Sequence, residues 1–533
     1  MINETDPKQL PLPGFESPFE RQLDMTNRWV QLSQIIPWTA LCDCYDETLT
    51  TGHGRPAKPA RLMIAAVIIK HKLCLSDEET VAQLQENPYL QYFAGFTSFT
   101  TEAPFVPSLF VTVRRRMGET LFEGFHQAII DATESCSSDT VPSPILDDSA
   151  VETGAIEVNE ADFTATESEA ETNGQSAEMT HQGKLIVDAT VAEQAIRYPT
   201  DLSLLNEARE FSEKVIDELH AQSPIPAGPK PRIYRQQARS RYLAIVKQKR
   251  PGRKLLRKGI KQQLQYLRRN LKVIEAQLGS WPEGSPLPLP NWLLHRYWVI
   301  QHLYTQQQQM YRDNVRRCDH RIVSISQPHV RPIVRGKQHK STEFGAKLSA
   351  SLTANGIAYV DRIHWEARPE SHDLKAQVAQ YHKRYGVYPE VVIADPLYGS
   401  RENRAMLKQL GIRYAGKPLG RPKKTTEANA AEQKAAKEQR RQDYLQRIPI
   451  EGKFGQGKNG YGLNYIRARS RQTSEAWIRS IFLVMNLLIL ARIFLCPIKW
   501  VSQGTITAVL SLWYLEVRKL VLQRGAFFHS PVI

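Results

Sequence analysis

The chain has 533 residues, enough for two to four domains with buried cores, and 41% hydrophobic content is ordinary for a globular protein. A net charge of +15 and a pI near 9.4 favour an anionic partner, nucleic acid ahead of an anionic membrane. The six cysteines are too scattered for a disulfide framework or a zinc cluster, the acidic and polar start is no signal peptide, and the longest apolar run, Ile481–Cys496, is interrupted by Asn486 and Arg492 and reads as a buried helix rather than a membrane span.

In chain order, residues 1–54 are mixed and proline-containing, with a helix expected around Phe19–Ile35. From Pro59, the positions Leu62, Ala65, Ala66 and Ile69 recur at helical steps. Ser76, with Glu79 three residues on, forms a capping box that starts a helix ending before Asn87 and Pro88. A further helix is expected over Pro107–Ile130, carrying Arg114, Arg115 and Arg116. Short helices with a basic edge fit a helix-turn-helix-like DNA-binding module and a plain bundle with solvated arginines equally well. From Met117 to Gly183 there are 15 Asp and Glu and no Lys or Arg, so residues 131–180 are expected to be an acidic disordered linker with solvated carboxylates.

A helix is expected from Ser203, and Leu219–Ile274 then holds 16 Lys and Arg without one acidic residue. Its helical pattern (Leu264, Leu267, Leu271, Ile274) is broken at Pro251-Gly252. DNA phosphate is the expected counter-charge for its basic residues, among them Arg250, Arg253, Lys254, Arg257 and Lys258, with a solvated face as the alternative. A helix over Trp292–Arg317 should bury Trp292 and Trp298. Strands are expected at Arg321–Ile325, Phe344–Leu352 and Ile357–Trp365, then a helix from Asp373 to Tyr385, a strand ending at Asp395, a helix over Glu402–Leu410, a short strand at Ile412–Ala415 and a charged crossing over 418–443. Without a helical insert at about 200–320, this order is that of an α/β ribonuclease H-like fold. The expected organisation is an N-terminal all-α domain at 1–130, the linker at 131–180, an α/β core with its basic helical insertion at 181–500, and a C-terminal helical tail at 501–533.

Three carboxylates carry the chemistry. Asp188 ends the run Leu185-Ile186-Val187, and Asp395 ends Val391-Val392-Ile393-Ala394. Two buried strands that each end in Asp can place both carboxylates at one edge of a sheet. Glu451 follows Arg447 by four residues and precedes Lys458 by seven, in Tyr444-x-x-Arg447-x-x-x-Glu451-x6-Lys458. Gly452, Gly455 and Gly457 argue against a long regular helix there. Such oxygen ligands suit Mg²⁺, and a pair of ions roughly 4 Å apart can activate an attacking oxygen and stabilise a leaving one. Asp361, Glu402, His339, His364 and His372 lie near these motifs without a matching spacing.

Together the motifs resemble the DDE transposases of bacterial insertion sequences, and most of all the group with a Y-(2)-R-(3)-E-(6)-K signature, whose spacing residues 444, 447, 451 and 458 meet. Asp395–Asn403 is similar to the family's D-x-x-Y-x-S-x-x-N motif, and Leu73–Thr80 with Glu86–Phe93 resembles its N-terminal domain. The resemblance spans roughly residues 50–495. It implies a ribonuclease H-like core and a catalytic, metal-binding set of Asp188, Asp395 and Glu451 holding two Mg²⁺ or Mn²⁺ ions. It also implies contact of Tyr444, Arg447 and Lys458 with the ends of the element. The implied partners are double-stranded DNA, as terminal inverted repeats and target, and a second copy of the chain assembled on that DNA; no membrane is implied, and the cytoplasm is the expected location. A nuclease that cuts without joining and a non-catalytic DNA-binding derivative remain the alternatives.

Overall fold

The computed structural model describes residues 18–49, 56–137, 180–222, 229–281, 284–287, 289–334, 342–420 and 429–492. The expected acidic linker lies outside the described residues from 138 to 179, and the expected tail at 501–533 lies wholly outside them.

Among the described residues, eight helices precede the first strand: α1 (Pro18–Gln22), α2 (Arg28–Ile35), α3 (Trp38–Asp46), α4 (Ala60–Lys72), α5 (Asp77–Glu86), α6 (Pro88–Phe93), α7 (Leu109–Arg116) and α8 (Glu119–Ser137). Two stretches expected as single helices are each two. Asn27 caps α2 by accepting from the Trp29 N–H at 2.9 Å, and α7 stops at Met117-Gly118 before α8 begins. The capping box of α5 forms, with Glu79 N–H on Ser76 Oγ at 3.0 Å and Ser76 N–H on Glu79 Oε2 at 2.7 Å.

The α/β part begins with β1 (Lys184–Glu193). Four helices follow it, α9 (Asp201–Ala221), α10 (Arg235–Val246), α11 (Arg253–Gly279) and α12 (Asn291–Asp313). Then come β2 (Arg331–Val334), β3 (Thr342–Leu352), β4 (Ala358–His364), α13 (Leu374–Tyr385), β5 (Val391–Ala394), α14 (Arg401–Gln409), β6 (Arg413–Tyr414) and α15 (Ala430–Gly460). A last helix, α16, covers Arg471–Arg492. In the mixed sheet β1 is central, antiparallel to β3 on one side and parallel to β5 on the other. Antiparallel β4 and β2 both pair with β3, and β6 is parallel to β5. The expected strand at Arg321–Ile325 is absent. Its Ile322 and Ile325 pack into the core of the inserted helices, and the Ile322 N–H is taken by Gln306 Oε1 at 3.0 Å rather than by a ladder.

Strand alternation divides the sheet's side chains between two layers. Leu185 and Val187 of β1, with Val392 and Ala394 of β5, pack against α13 and α14 through Leu374, Val378 and Leu407. Ile186 of β1, with Val391 and Ile393 of β5, faces the opposite layer, built from α15, α16 and the N-terminal helices. The inserted helices close over a separate core, in which Leu264, Leu267, Leu271 and Ile274 of α11 meet Leu205 and Ile216 of α9 and Ile300 and Leu303 of α12. The buried stripe of α12 runs through Leu293, Tyr297, Ile300, Leu303, Gln307 and Met310. Trp292 and Trp298 fall off that stripe and are half exposed, contrary to the expectation that they fill the core.

Helix α16 joins the N-terminal helices to the sheet. It is long and apolar enough to cross a membrane by composition alone, but 78% of its most apolar window is buried inside the protein. Its Asn486 satisfies the β4 backbone, accepting from Ala358 N–H at 3.0 Å and donating to Ala358 C=O at 2.7 Å. Its Trp477 lies under the ammonium of Lys70 and the guanidinium of Arg114, with the Lys70 nitrogen 4.6 Å from the ring. Asp77 answers both cations, at 2.9 Å from Lys70 and 2.7 Å from Arg114. Arg114, one of three arginines expected on a basic edge, is therefore buried structure, while Arg115 and Arg116 are exposed.

The same interface encloses two histidines, His71 edge-on to Trp477 and His126 edge-on to Tyr359. Burial, with Arg384 and Arg479 nearby, pushes His126 down to about 3, and burial drives His71 well below its ordinary value too. The cavity of about 340 Å³ beside His126 also carries Glu47, Glu119, Glu123, Asp361 and Lys383. A base whose folded pKa is depressed is protonated more readily in the unfolded chain, so its stability contribution is complete above about pH 6.5 and is lost as pH falls below that value. Unfolding free energy measured by denaturant titration should decline between pH 6.5 and 3, by up to roughly 1.4 kcal/mol per pH unit for each such proton. His126→Gln should flatten that decline; an unaltered slope would place the linkage elsewhere.

Candidate active site

The parallel register of β1 and β5 ends at Val187 opposite Ala394, so the next residues along the two strands are Asp188 and Asp395. Asp188 shares the parity of Ile186, and Asp395 that of Val391 and Ile393. Both carboxylates therefore belong to the face that α15 covers. Asp188 Oδ1 accepts from its neighbour Ala189 N–H at 2.8 Å. Asp395 caps the short 3-10 turn Pro396–Tyr398 through Leu397 N–H at 3.0 Å.

Helix α15 runs unbroken through Gly452, Gly455 and Gly457, against the expectation of an interrupted segment. The reason is one continuous packed face at three- and four-residue steps: Asp443, Arg447, Ile450, Phe454 and Gly457. Gly457 is part of the fit, since a Cβ there would lie 3.2 Å from Leu463 Cδ2. Pro449 removes one backbone donor on the exposed side, where water can take the orphaned Leu445 carbonyl. The helix is fixed to the sheet by a bidentate pair, Asp443 with Arg413 of β6, at 2.7 and 2.9 Å. Lys184 Nζ, at the start of β1, adds a bond to Gln446 Oε1 at 3.3 Å.

This docking brings Arg447 into the middle of the three carboxylates. Its Nη1 lies 3.2 Å from Asp188 Oδ2 and 3.9 Å from Asp395 Oδ2, and its Nη2 lies 2.6 Å from Glu451 Oε1. Asp188 is the most enclosed, with 14% of its side chain exposed, against 32% for Asp395 and 52% for Glu451. Burial raises the Asp188 carboxyl above its ordinary value, helped by the charges of Glu370 and Asp395, while Ala189 N–H and Arg447 oppose the rise. Tyr444 is exposed, with Arg447 5.8 Å from its ring centroid. Lys458 is half-buried on the same helix. Its separation from Glu451 is about two turns, roughly 10 Å along one face.

Sequence reasoning missed two neighbours, Glu370 and Lys347. Glu370 pairs with Lys347 of β3 at 2.9 Å and adds negative charge to the surroundings of Asp188. No spacing to the motifs marks either residue. Tyr398 is fully buried, and among the described residues its hydroxyl has no hydrogen-bond partner. Asp361 and His364 are structural: Asp361 pairs with Arg384 at 2.9 Å, and His364 with Asp373 at 2.9 Å.

Among the described residues no three acidic, histidine or cysteine side chains stand close enough together to hold a metal ion as they are. The donor set nevertheless suits a hard divalent cation. Three carboxylates from two strands and a helix converge on one positive group.

The inserted helices present the other expected residues. Arg250, Arg253, Lys254, Arg257 and Lys258 are all exposed around the start of α11. Arg257 has a second task, stacking on Tyr311 at 4.4 Å and donating to Asn314 Oδ1 at 2.6 Å, which ties α11 to the end of α12. A cleft of about 730 Å³ beside them is lined by Arg197, Arg253, Arg257, Arg316 and Arg321, with Asp201 as the acid in its wall.

Two protein families match this chain. Residues 392–488, which contain Asp395 and Glu451, match the family described as Transposase DDE domain, and residues 17–116 match the Transposase domain (DUF772) family. The two matches indicate a DDE-type transposase of insertion sequences. An uncharacterized protein of Rhizobium meliloti, ORF8 in the nfe locus, is 39% identical over 106 residues. That match covers 19% of this transposase and 49% of the relative, so the chain spans about half the length of the curated relative it matches. No solved structure matches this transposase.

The Asp443–Arg413 pair sets where α15 lies on the sheet, and with it Arg447 and Glu451. Asp443→Ala should cost about 2 kcal/mol of stability, because it leaves Arg413 without its charge-assisted partner. Thermal unfolding of the variant beside the wild type checks it.

Proposed function

We propose that this transposase binds the ends of its insertion sequence and catalyses metal-dependent DNA strand cleavage and strand transfer, with Asp188, Asp395 and Glu451 as the catalytic and metal-binding residues. The observation that carries the reading is the convergence of these three carboxylates, from β1, the end of β5 and α15, on one cationic group. The arrangement β4-β3-β1-β5-β6, antiparallel in its first three strands and parallel from β1 onward, supports a ribonuclease H-like core interrupted after β1 by the basic helices. The spacing of Tyr444, Arg447, Glu451 and Lys458 supports membership of the Y-(2)-R-(3)-E-(6)-K group.

Mg²⁺ or Mn²⁺ held by the three carboxylates would supply activation of the attacking oxygen and charge neutralisation at the leaving one. The chain's own groups do the rest. The β1–β5 ladder fixes the spacing of Asp188 and Asp395, and α15 sets Glu451 across from them. Arg447, Tyr444 and Lys458 lie along the same helix and are the proposed contacts to the phosphates and terminal bases of the element's end. The basic residues at the start of α11 would hold flanking double-stranded DNA, terminal repeat or target, by phosphate contact. The reading includes a homodimer assembled on DNA, a cytoplasmic location, and the domain limits 1–130, 131–180, 181–500 and 501–533.

Asp188→Asn, Asp395→Asn and Glu451→Gln should each lower cleavage of end-bearing duplexes by roughly a thousandfold, the equivalent of several kcal/mol of transition-state stabilisation, while leaving folding and end binding in place. A strand-transfer assay separates the alternatives: joined product supports a transposase, cut product alone a nuclease, and binding alone a non-catalytic derivative. Full metal-dependent cutting by any of the three variants would remove that residue from the set. Neutralising Arg250, Arg253, Lys254 and Lys258 together should weaken binding to all DNA sequences and flatten the salt dependence by roughly 0.9 in slope per lost phosphate contact. An unchanged slope would make this stretch a solvated face.

A further inference from the structure

We propose that Arg447 is an internal counter-cation of the acidic triad, and that a divalent ion reaches Asp188 and Asp395 only by displacing it. This rests on the reading of the three carboxylates as a metal-binding set. Arg447 reaches all three acids at once, within 4 Å, from a position buried between α15 and the sheet, with 16% of its side chain exposed. A contact made only for DNA would instead place its guanidinium in solvent, as Tyr444 is placed one turn earlier. Three mutually repelling carboxylates, one of them desolvated, need a positive charge among them, and Arg447 is the cation paired with each. One volume cannot hold both a guanidinium and a divalent ion, so the two compete.

The exchange also assigns the displaced side chain a destination. A guanidinium released from Asp188 and Asp395 keeps its planar fork, which matches a phosphate as well as it matches a carboxylate. Tyr444 lies along the same helix face, 5.8 Å from Arg447, on the exposed side. Arriving metal would therefore turn Arg447 from the acids toward a DNA strand lying on α15. Metal binding and DNA grip would be linked, each strengthening the other by the same factor.

The test uses the full chain without DNA and titrates Mn²⁺ by calorimetry. If Arg447 holds the triad about nine-tenths of the time, Arg447→Gln should bind Mn²⁺ about tenfold more tightly than the wild type. In EDTA its melting temperature should fall below that of the wild type, and saturating Mn²⁺ should raise it by more. Arg447→Lys, which keeps the charge but loses the fork, guards against a glutamine variant that fails to fold, and should show a smaller gain in affinity. Unchanged or weaker Mn²⁺ binding by a folded Arg447 variant would overturn the exchange. Asp188→Asn, alone and combined with Arg447→Gln, tells the two ideas apart. If Asp188→Asn removes Mn²⁺ binding while Arg447→Gln leaves it unaltered, the exchange alone fails. If Asp188→Asn has no effect in either background, the metal-site reading fails and the exchange with it.

Discussion

The second half of helix α16 is buried on every side. From Ile481 to Leu487 each residue is buried, including Asn486, and such a helix must be surrounded. One side is covered by the sheet and α15, and the other by the N-terminal helices, so that a single core runs from Trp29 to Ala491. The charged and amide ends taken into this contact are answered: Asn486 by the backbone of Ala358, and the Lys70 ammonium and both Arg114 Nη atoms by Asp77. The N-terminal helices thereby form a wall of the α/β unit. Breaking that wall would expose the face of the sheet on which the two aspartates lie.

The site inherits its precision from elements that are themselves over-determined. A strand ladder holds Asp188 level with Asp395, and a one-residue slip of either strand would turn its aspartate away from α15. The helix carries Arg447 and Glu451 one turn apart, and the Asp443–Arg413 pair pins it to the far strand of the sheet. The charges then settle their own balance. Asp188 is raised by burial yet keeps Arg447 beside it, and the more exposed Glu451 can be hydrated. The inserted helices, with their own core, add positive surface without disturbing the sheet.

Much of this frame is legible in the sequence because its signals are local. Apolar runs that end in Asp188 and Asp395 announce strands, and the Ser76–Glu79 pair announces a helix start. The α15 segment was harder, since three glycines speak against a helix and only the packed stripe from Asp443 to Gly457 outweighs them. The stretch Arg321–Ile325 has the residues of a strand, but its isoleucines pack into the core of the inserted helices and its Ile322 N–H goes to Gln306. Trp292 and Trp298 show the reverse. Their type suggests a core, and their phase on α12 places them outside it. The role of Arg447 between three acids, and the nearness of Glu370 to Asp188, depend on where α15 and the segment before α13 cross the sheet, which no spacing encodes.

The separation of the acids along the chain has a consequence for how the protein comes into being. A ribosome releases β1 long before β5, and β5 before α15. The β1–β5 ladder is a long-range contact, closed only after the inserted helices and three further strands have emerged. Through that interval Asp188 has neither its partner acid nor Arg447, and the three carboxylates cannot meet. The acidic centre is completed only when α15 has emerged and docked on the sheet. A chain truncated anywhere before α15 would lack that centre, however well its N-terminal helices had folded.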